Sequence, residues 1–195
     1  YLDACLNFGI SLKKAKQYTD AIKCLEHAAS LSPSNAKIYF LLGEVFYDIG
    51  DAKSANVNLT KSLELNPDVM ESQFALSIAQ IPKVPNSIEE SNKSRINFFD
   101  KLKRLQCFKI PTSTPADILT NIGRHPFYLA YQEKDNQTLL NQYGNICTQA
   151  AEFVQNTLIE SNTTPINRDK KIIPATNAPV NKYFLFIVKI GRAHV

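Results

Sequence analysis

The side chains able to do covalent or metal chemistry are few. Thiols stand at Cys5, Cys24, Cys107 and Cys147. No two form a CxxC pair and their spacing is irregular, so neither a zinc site nor a disulfide framework is indicated. Cys5, Cys24 and Cys147 fall on apolar positions of helical periodicity and read as small core residues, as expected of a reducing compartment such as the cytoplasm. The imidazoles are His27, His125 and His194. None belongs to an HExxH or GxSxG arrangement, and the chain has neither a P-loop nor a GxGxxG turn. Glu89 and Glu90 are neighbouring carboxylates at a helix start, where negative charge complements the macrodipole instead of forming an acid–base pair. Asn58, Asn92, Asn136 and Asn162 each open an N-x-S/T triplet, which chance explains in an Asn-rich chain. No catalytic residue, bound cofactor or metal is therefore expected.

With chemistry set aside, the positioning elements carry the information. The chain has 195 residues, 44% of them hydrophobic and 21% charged, which excludes wholesale disorder and collagen-like composition. No apolar run reaches the roughly 18 residues of a membrane span. The net charge of +4 is spread along the chain and does not point to nucleic acid. The first residues already follow a helical pattern and resemble no signal peptide, so a piece of a longer protein is expected.

The dominant signal is internal. Gly9 recurs as Gly43, Ala21 as Ala55, Leu25 as Leu59, Leu31 as Leu65 and Pro33 as Pro67, all at one offset of 34. That is the period of the tetratricopeptide repeat, a pair of antiparallel helices. Residues 1–69 are assigned to two such repeats. The glycines sit mid-helix, where glycine costs about 1 kcal/mol against alanine, so close helix contact is expected to compensate. Phe8, Leu12, Leu42 and Phe46 are expected to form the bulky apolar face of the first helices. Pro33 and Pro67 end the second helices, and Gly50-Asp51 closes one helix and opens the next. The resulting fold class is all-α: a right-handed solenoid of helical hairpins with extra C-terminal helices and one orphan apolar strand.

Residues 70–106 read as a degenerate third helical pair. Pro82 and Pro85 interrupt it, and the second helix restarts at a capping box, Ser87-Ile88-Glu89-Glu90. Ile88, Ile96, Phe99 and Leu102 are expected on its apolar face. Residues 107–160 form a helical connector: a loop from Cys107 to Thr114, a short helix Ala116–Ile122, the aromatic segment Pro126–Gln132, and a helix over 135–160. Residues 161–182 read as a linker. Residues 183–195 contain one apolar strand, Tyr183–Ile190, taken as the first strand of a missing α/β domain. The tail Ile190–Val195 is also what a common sequencing adapter would encode and is expected to be an artefact.

What remains is a binding surface. Repeat arrays of this type present the first helix of each repeat along a groove. The candidate peptide-groove residues are Asp3, Asn7 and Lys14 in repeat one and Lys37, Phe40, Glu44 and Tyr47 in repeat two. Leu6, Ile10, Lys13, Leu41 and Asp48 lie on the same faces. Phe127, Tyr128, Leu129 and Tyr131 are candidate domain-docking residues, because four large side chains within five positions are too many for a free loop.

In feature order the chain resembles the tetratricopeptide-containing bacterial O-linked N-acetylglucosamine transferases of the O-GlcNAc transferase and SPINDLY group. The residues carrying the resemblance are the two repeats, Phe74–Pro82, the helix from Ile88 to Leu105, Pro126-Phe127-Tyr128-Leu129-Ala130-Tyr131-Gln132, and Leu140-Asn141-Gln142-Tyr143-Gly144. The resemblance implies a parent that transfers sugar from a UDP-sugar, with the repeats presenting a protein or peptide acceptor to the missing C-terminal catalytic domain. It also implies that Asn7 stands where the family carries a ladder of asparagines holding a peptide backbone. Leu41 at the next rung breaks that ladder. The alternative from the residues alone is a non-enzymatic scaffold binding partner peptides, or a repeat adaptor attached to another α/β enzyme. By either route this chain itself is expected to bind protein, not nucleic acid, and not to span a membrane.

Overall fold

A computed structural model of the chain describes residues 2–107, 125–132 and 134–163. The expected loop after Cys107, the helix Ala116–Ile122, most of the linker and the strand Tyr183–Ile190 lie outside those residues. Two compact units are present, one built on residues 1–105 with 124–134, the other on 106–123 with 135–195.

The first unit contains α1 (Leu2–Lys14), α2 (Tyr18–Leu31), α3 (Ala36–Ile49), α4 (Ala52–Leu65), α5 (Met70–Ile78), α6 (Ile88–Gln106) and a 3-10 turn at Phe127–Gln132. Consecutive helices from α1 to α5 pack on one another, and α1 also touches α3. No strand occurs among the described residues. The hairpins close where small residues allow it. A Cβ on Gly9 would lie 2.8 Å from Leu25 Cδ2, and one on Gly43 2.5 Å from Leu59 Cγ. Ala21, Ala28 and Ala55 are fully buried, leaving the backbones as close as helices come. One core cluster runs from Leu6 and Leu12 through Leu25 to Ile38, Leu42 and Val45. A second joins Ala55 and Leu59 to Ala75, Leu76 and Ala79, and Phe40 and Phe46 pack against both.

The two repeats turn differently. Gly50 is left-handed at φ 91° and its N–H bonds back to α3, then Asp51 Oδ1 accepts the Ser54 N–H at 2.9 Å. The equivalent turn of repeat one places Lys16 at φ 60°, and Gln17 provides no side-chain cap.

Three expectations are corrected. Phe8 is 59% exposed, whereas Leu12 and Leu42 are buried: among the described residues nothing lies over Phe8 as α2 lies over Leu42. On α6, Ile88 and Ile96 are exposed and the buried line is Ser91, Ser94, Phe98, Leu102 and Leu105. Two serines on that line hid it from a reading by apolar period. Ser94 is buried beside Gln132, whose amide donates to its hydroxyl at 3.5 Å. The capping box is half formed: Ser87 Oγ accepts the Glu90 N–H, but the Glu90 carboxylate serves Asn86.

The second unit is described through α7 (Gln137–Thr163). Leu139, Tyr143, Ile146, Cys147 and Ala150 make its buried line. Asp135 accepts the Gln137 N–H at 2.8 Å, so α7 starts two residues later than the pattern suggested. It runs into the segment assigned to the linker, because the next breaker is Pro165. Burial pushes the Cys147 thiol up to about 12, against a hydrogen bond with Tyr143 that lowers it.

Candidate functional site

The first helices α1 and α3 lie side by side, joined by charge. Lys13 Nζ on α1 donates to Glu44 Oε2 at 2.7 Å and stands 3.5 Å from Asp48 Oδ2 on α3. Glu44, a candidate groove residue, is only 5% exposed. It fastens repeat two to repeat one and is not offered to a ligand. Leu41 is buried too. The accessible candidates are Asp3, Asn7 and Lys14 on α1 and Lys37 at the start of α3. Phe40 and Tyr47 are half-buried, with the Phe40 ring serving both core clusters. The face is therefore polar and open at repeat one and closes over apolar side chains at repeat two.

Lys83 completes this face, and nothing in its Pro-rich surroundings marks it in the sequence. Its Nζ donates to the Asp48 carbonyl at 2.7 Å and lies 5.8 Å from the centroid of Tyr47 and 5.9 Å from that of Tyr128. A cation between two aromatic faces is an attractive arrangement, and it ties the 3-10 turn to repeat two. Of the four docking candidates, Leu129 is buried and Tyr128 half-buried, while Phe127 and Tyr131 are exposed. Phe127 stacks edge-on against Tyr128 and Tyr131, with centroids 5.8 and 5.4 Å away. Lys134 pairs with Asn92 on α6, holding the end of the segment.

The opposite face has two shallow depressions. One, of about 450 Å³, is lined by Tyr39, Asn56, Val57 and Lys61; the other shares Tyr39 and Val57 and adds Glu26 and Lys53. Among the described residues no group of His, Cys, Asp or Glu is arranged to hold a metal ion. His125 is exposed. No described helix is long and apolar enough to cross a membrane.

The hairpin geometry, the glycine contacts and the 34-residue register have a counterpart in known families. Residues 11–50 match the family model described as TPR repeat, and residues 36–69 match the one described as Tetratricopeptide repeat. The segment from residue 11 to residue 69 is thus tetratricopeptide-repeat sequence folded as helical hairpins, and it makes this part of the chain a protein–protein interaction module.

Proposed function

We propose that the exposed polar face of α1, continued by Lys37 of α3, holds an extended peptide segment of a partner protein. The observation behind this reading is the contrast along the first helices. Asp3, Asn7 and Lys14 stay in solvent while their neighbours in repeat two are drawn into packing and ion pairs. An asparagine amide can donate to a peptide carbonyl and accept from a peptide N–H at once. Asp3 and Lys14, at the two ends of the helix, offer opposite charges to fix the direction of the bound segment.

The test selects binders for the full chain from a random library of unstructured peptides and measures their affinity by fluorescence anisotropy. Replacing Asp3, Asn7 and Lys14 together by alanine is expected to weaken binding at least tenfold, about 1.4 kcal/mol. Val57→Ala on the opposite face is expected to leave it unchanged. Loss of binding through Val57 with the α1 variant intact would move the site to the outer depression.

On the finer reading, that partner is an acceptor served to a UDP-sugar-dependent glycosyltransferase domain of the same polypeptide. Its support is the resemblance carried by Pro126–Gln132 following the repeats. A longer version of the polypeptide is expected to transfer sugar to the peptides that this face selects. Transfer that ignores the α1 substitutions would separate the repeats from acceptor choice.

A further inference from the structure

The first hairpin brings together two thiols that lie 19 residues apart in the sequence. Cys5 stands on α1 and Cys24 on α2, and the Cys24 thiol donates to the Cys5 carbonyl at 3.3 Å. The side chains also meet directly. Burial, then the neighbouring Cys5 through its charge and a side-chain hydrogen bond, pushes the Cys24 thiol above its ordinary value of 9.0. The approach has a backbone cause. Gly9 follows Cys5 by one turn and Leu25 follows Cys24 directly, and a Cβ on Gly9 would lie 2.8 Å from Leu25 Cδ2. The missing side chain lets α1 and α2 close at this level, and the two cysteines sit in the same closure. The 34-residue register repeats the juxtaposition in the next hairpin. There the equivalent positions are Tyr39 on α3 and Asn58 on α4, and both line the shallow outer depressions. These two positions of a hairpin therefore face each other at a surface that solvent reaches.

Exposure separates this pair from the other cysteines. Cys147 is 2% exposed and its thiol is pushed up to about 12, so it is inert near neutrality. Cys107 is exposed. Cys5 and Cys24 are half-buried against the edge of the first core cluster. They are open to a small reagent and held against each other, as formation of an intramolecular disulfide requires.

We infer that Cys5 and Cys24 form a redox modification site, at which a low-molecular-weight disulfide of the glutathione class oxidises the pair to a reversible staple between α1 and α2. The exchange has two steps. Cys5 gives its proton to water, and its thiolate attacks one sulfur of the small disulfide. The reagent's S–S bond breaks, one small thiolate leaves and takes up a proton, and Cys5 carries a mixed disulfide. Cys24 then gives its proton to water and attacks the Cys5 sulfur. The bond from Cys5 to the second small sulfur breaks, and that thiolate leaves and takes up a proton. In all, two cysteines are oxidised by two electrons and one small disulfide is reduced to two thiols. Cys24 acts second because its raised value keeps it protonated, and because contact with the mixed disulfide makes its own attack intramolecular. The bridge closes the segment from Cys5 to Cys24 into a loop, which constrains the unfolded chain and favours the folded hairpin.

The inference does not depend on the peptide-binding reading, since Asp3, Asn7 and Lys14 take no part in it. The test uses the full chain with Cys107→Ser, which removes the exposed competitor. Incubation with glutathione disulfide is expected to consume two thiols, counted in denaturant, without adding glutathione to the mass. Peptide mapping is expected to place the bridge between Cys5 and Cys24. The oxidised monomer should melt about 5 °C or more above the reduced one and return to it with dithiothreitol. Adding Cys24→Ser should stop the reaction at a glutathione adduct on Cys5. Adding Cys5→Ser instead should slow adduct formation about threefold or more, because Cys24 is the thiol held protonated. An alanine replaces either serine if the variant loses the helical circular dichroism of the parent. Glutathione adducts on both cysteines with no bridge, a bridge joining two chains, or a bridged monomer that melts no higher than the reduced one would each overturn the inference.

Discussion

A glycine inside a helix is a cost that only its surroundings can justify, and the helical glycines among the described residues sit in opposite surroundings. At Gly43 an added Cβ would stand 2.5 Å from Leu59 Cγ and 3.3 Å from the Ala55 carbonyl oxygen, and neither Leu59 nor the α4 backbone has room to retreat. At Gly144 on α7 nothing lies within 4 Å. Gly43→Ala gains about 1 kcal/mol of helix propensity but meets an overpacking cost of about 1–3 kcal/mol, so a net loss is expected. Gly144→Ala collects the propensity alone and is expected to stabilise by about 0.5–1 kcal/mol. Urea denaturation of the two variants reads the difference in sign directly. Two shifts of the same sign would show that the Gly43 contact does not close the hairpin. The period of 34 identified Gly9 and Gly43, but the periodicity is silent on Gly144, which lies outside the repeats.

Among the elements, the two hairpin turns form an internal comparison. Repeat two ends α3 with a left-handed glycine and starts α4 with an aspartate cap; repeat one asks a lysine to adopt φ 60° and a glutamine to cap without doing so. A left-handed non-glycine residue costs about 1–2 kcal/mol. A missing N-cap costs about 1 kcal/mol. Lys16→Gly with Gln17→Asp should therefore stabilise the chain by about 1–2 kcal/mol, part of the gain being returned as glycine entropy. Hydrogen bonds from Ser54, the side chain first and the backbone N–H next, hold the Asp51 carboxyl below its ordinary value of 3.8. A lowered folded-state value stabilises above the unfolded one and loses that contribution as pH falls through it. The aspartate cap introduced by Gln17→Asp should follow the same sign: the double variant keeps its advantage near neutrality and surrenders part of it below about pH 4. Thermal melts at pH 7 and pH 3 check both halves, and a variant no more stable than the parent at pH 7 would contradict the argument.

At the scale of the whole molecule, the ion pairs that Lys13 makes with Glu44 and Asp48 differ from the others among the described residues. The pairs Asp20–Lys23, Lys61–Glu64 and Asp100–Lys103 span 3.5–4.0 Å within single helices, and each has its side chains 47% or more exposed. Such pairs contribute about 0–1 kcal/mol. Lys13 instead crosses from α1 to α3 and meets a carboxylate whose side chain is 6% exposed. Lys13→Met takes the cation away from that nearly buried charge, and a loss of about 2–3 kcal/mol is expected, below the value for a fully buried pair because Lys13 keeps 20% of its side chain in solvent. Lys23→Met should change stability by less than about 0.5 kcal/mol. Adding Glu44→Leu to Lys13→Met should recover much of the loss, since the buried charge is then gone. If Lys13→Met proves as mild as Lys23→Met, the two repeats are not fastened by this bridge.

Whatever repeats or punctuates in this chain was legible from residue order alone. Chemically special residues at a constant offset locate the hairpins of residues 1–69, because a glycine, an alanine and a proline each answer a local backbone demand wherever that demand recurs. Gly50-Asp51 was legible for the same reason, and so was the long apolar period behind α7. Packing settled which side of each element is inside. Phe8 and Leu42 occupy the same repeat position and differ in burial because a neighbouring helix covers one and not the other. Ser91 and Ser94 went inside ahead of Ile88 and Ile96, since burial follows the surface a neighbour presents and a small hydroxyl can satisfy itself there. Glu44, read as a ligand contact, became an internal fastener, and Lys83, unmarked, became the link between repeat two and the aromatic turn. These outcomes depend on pairs of residues 31 to 45 positions apart, brought together only by packing, and local sequence carries no record of them.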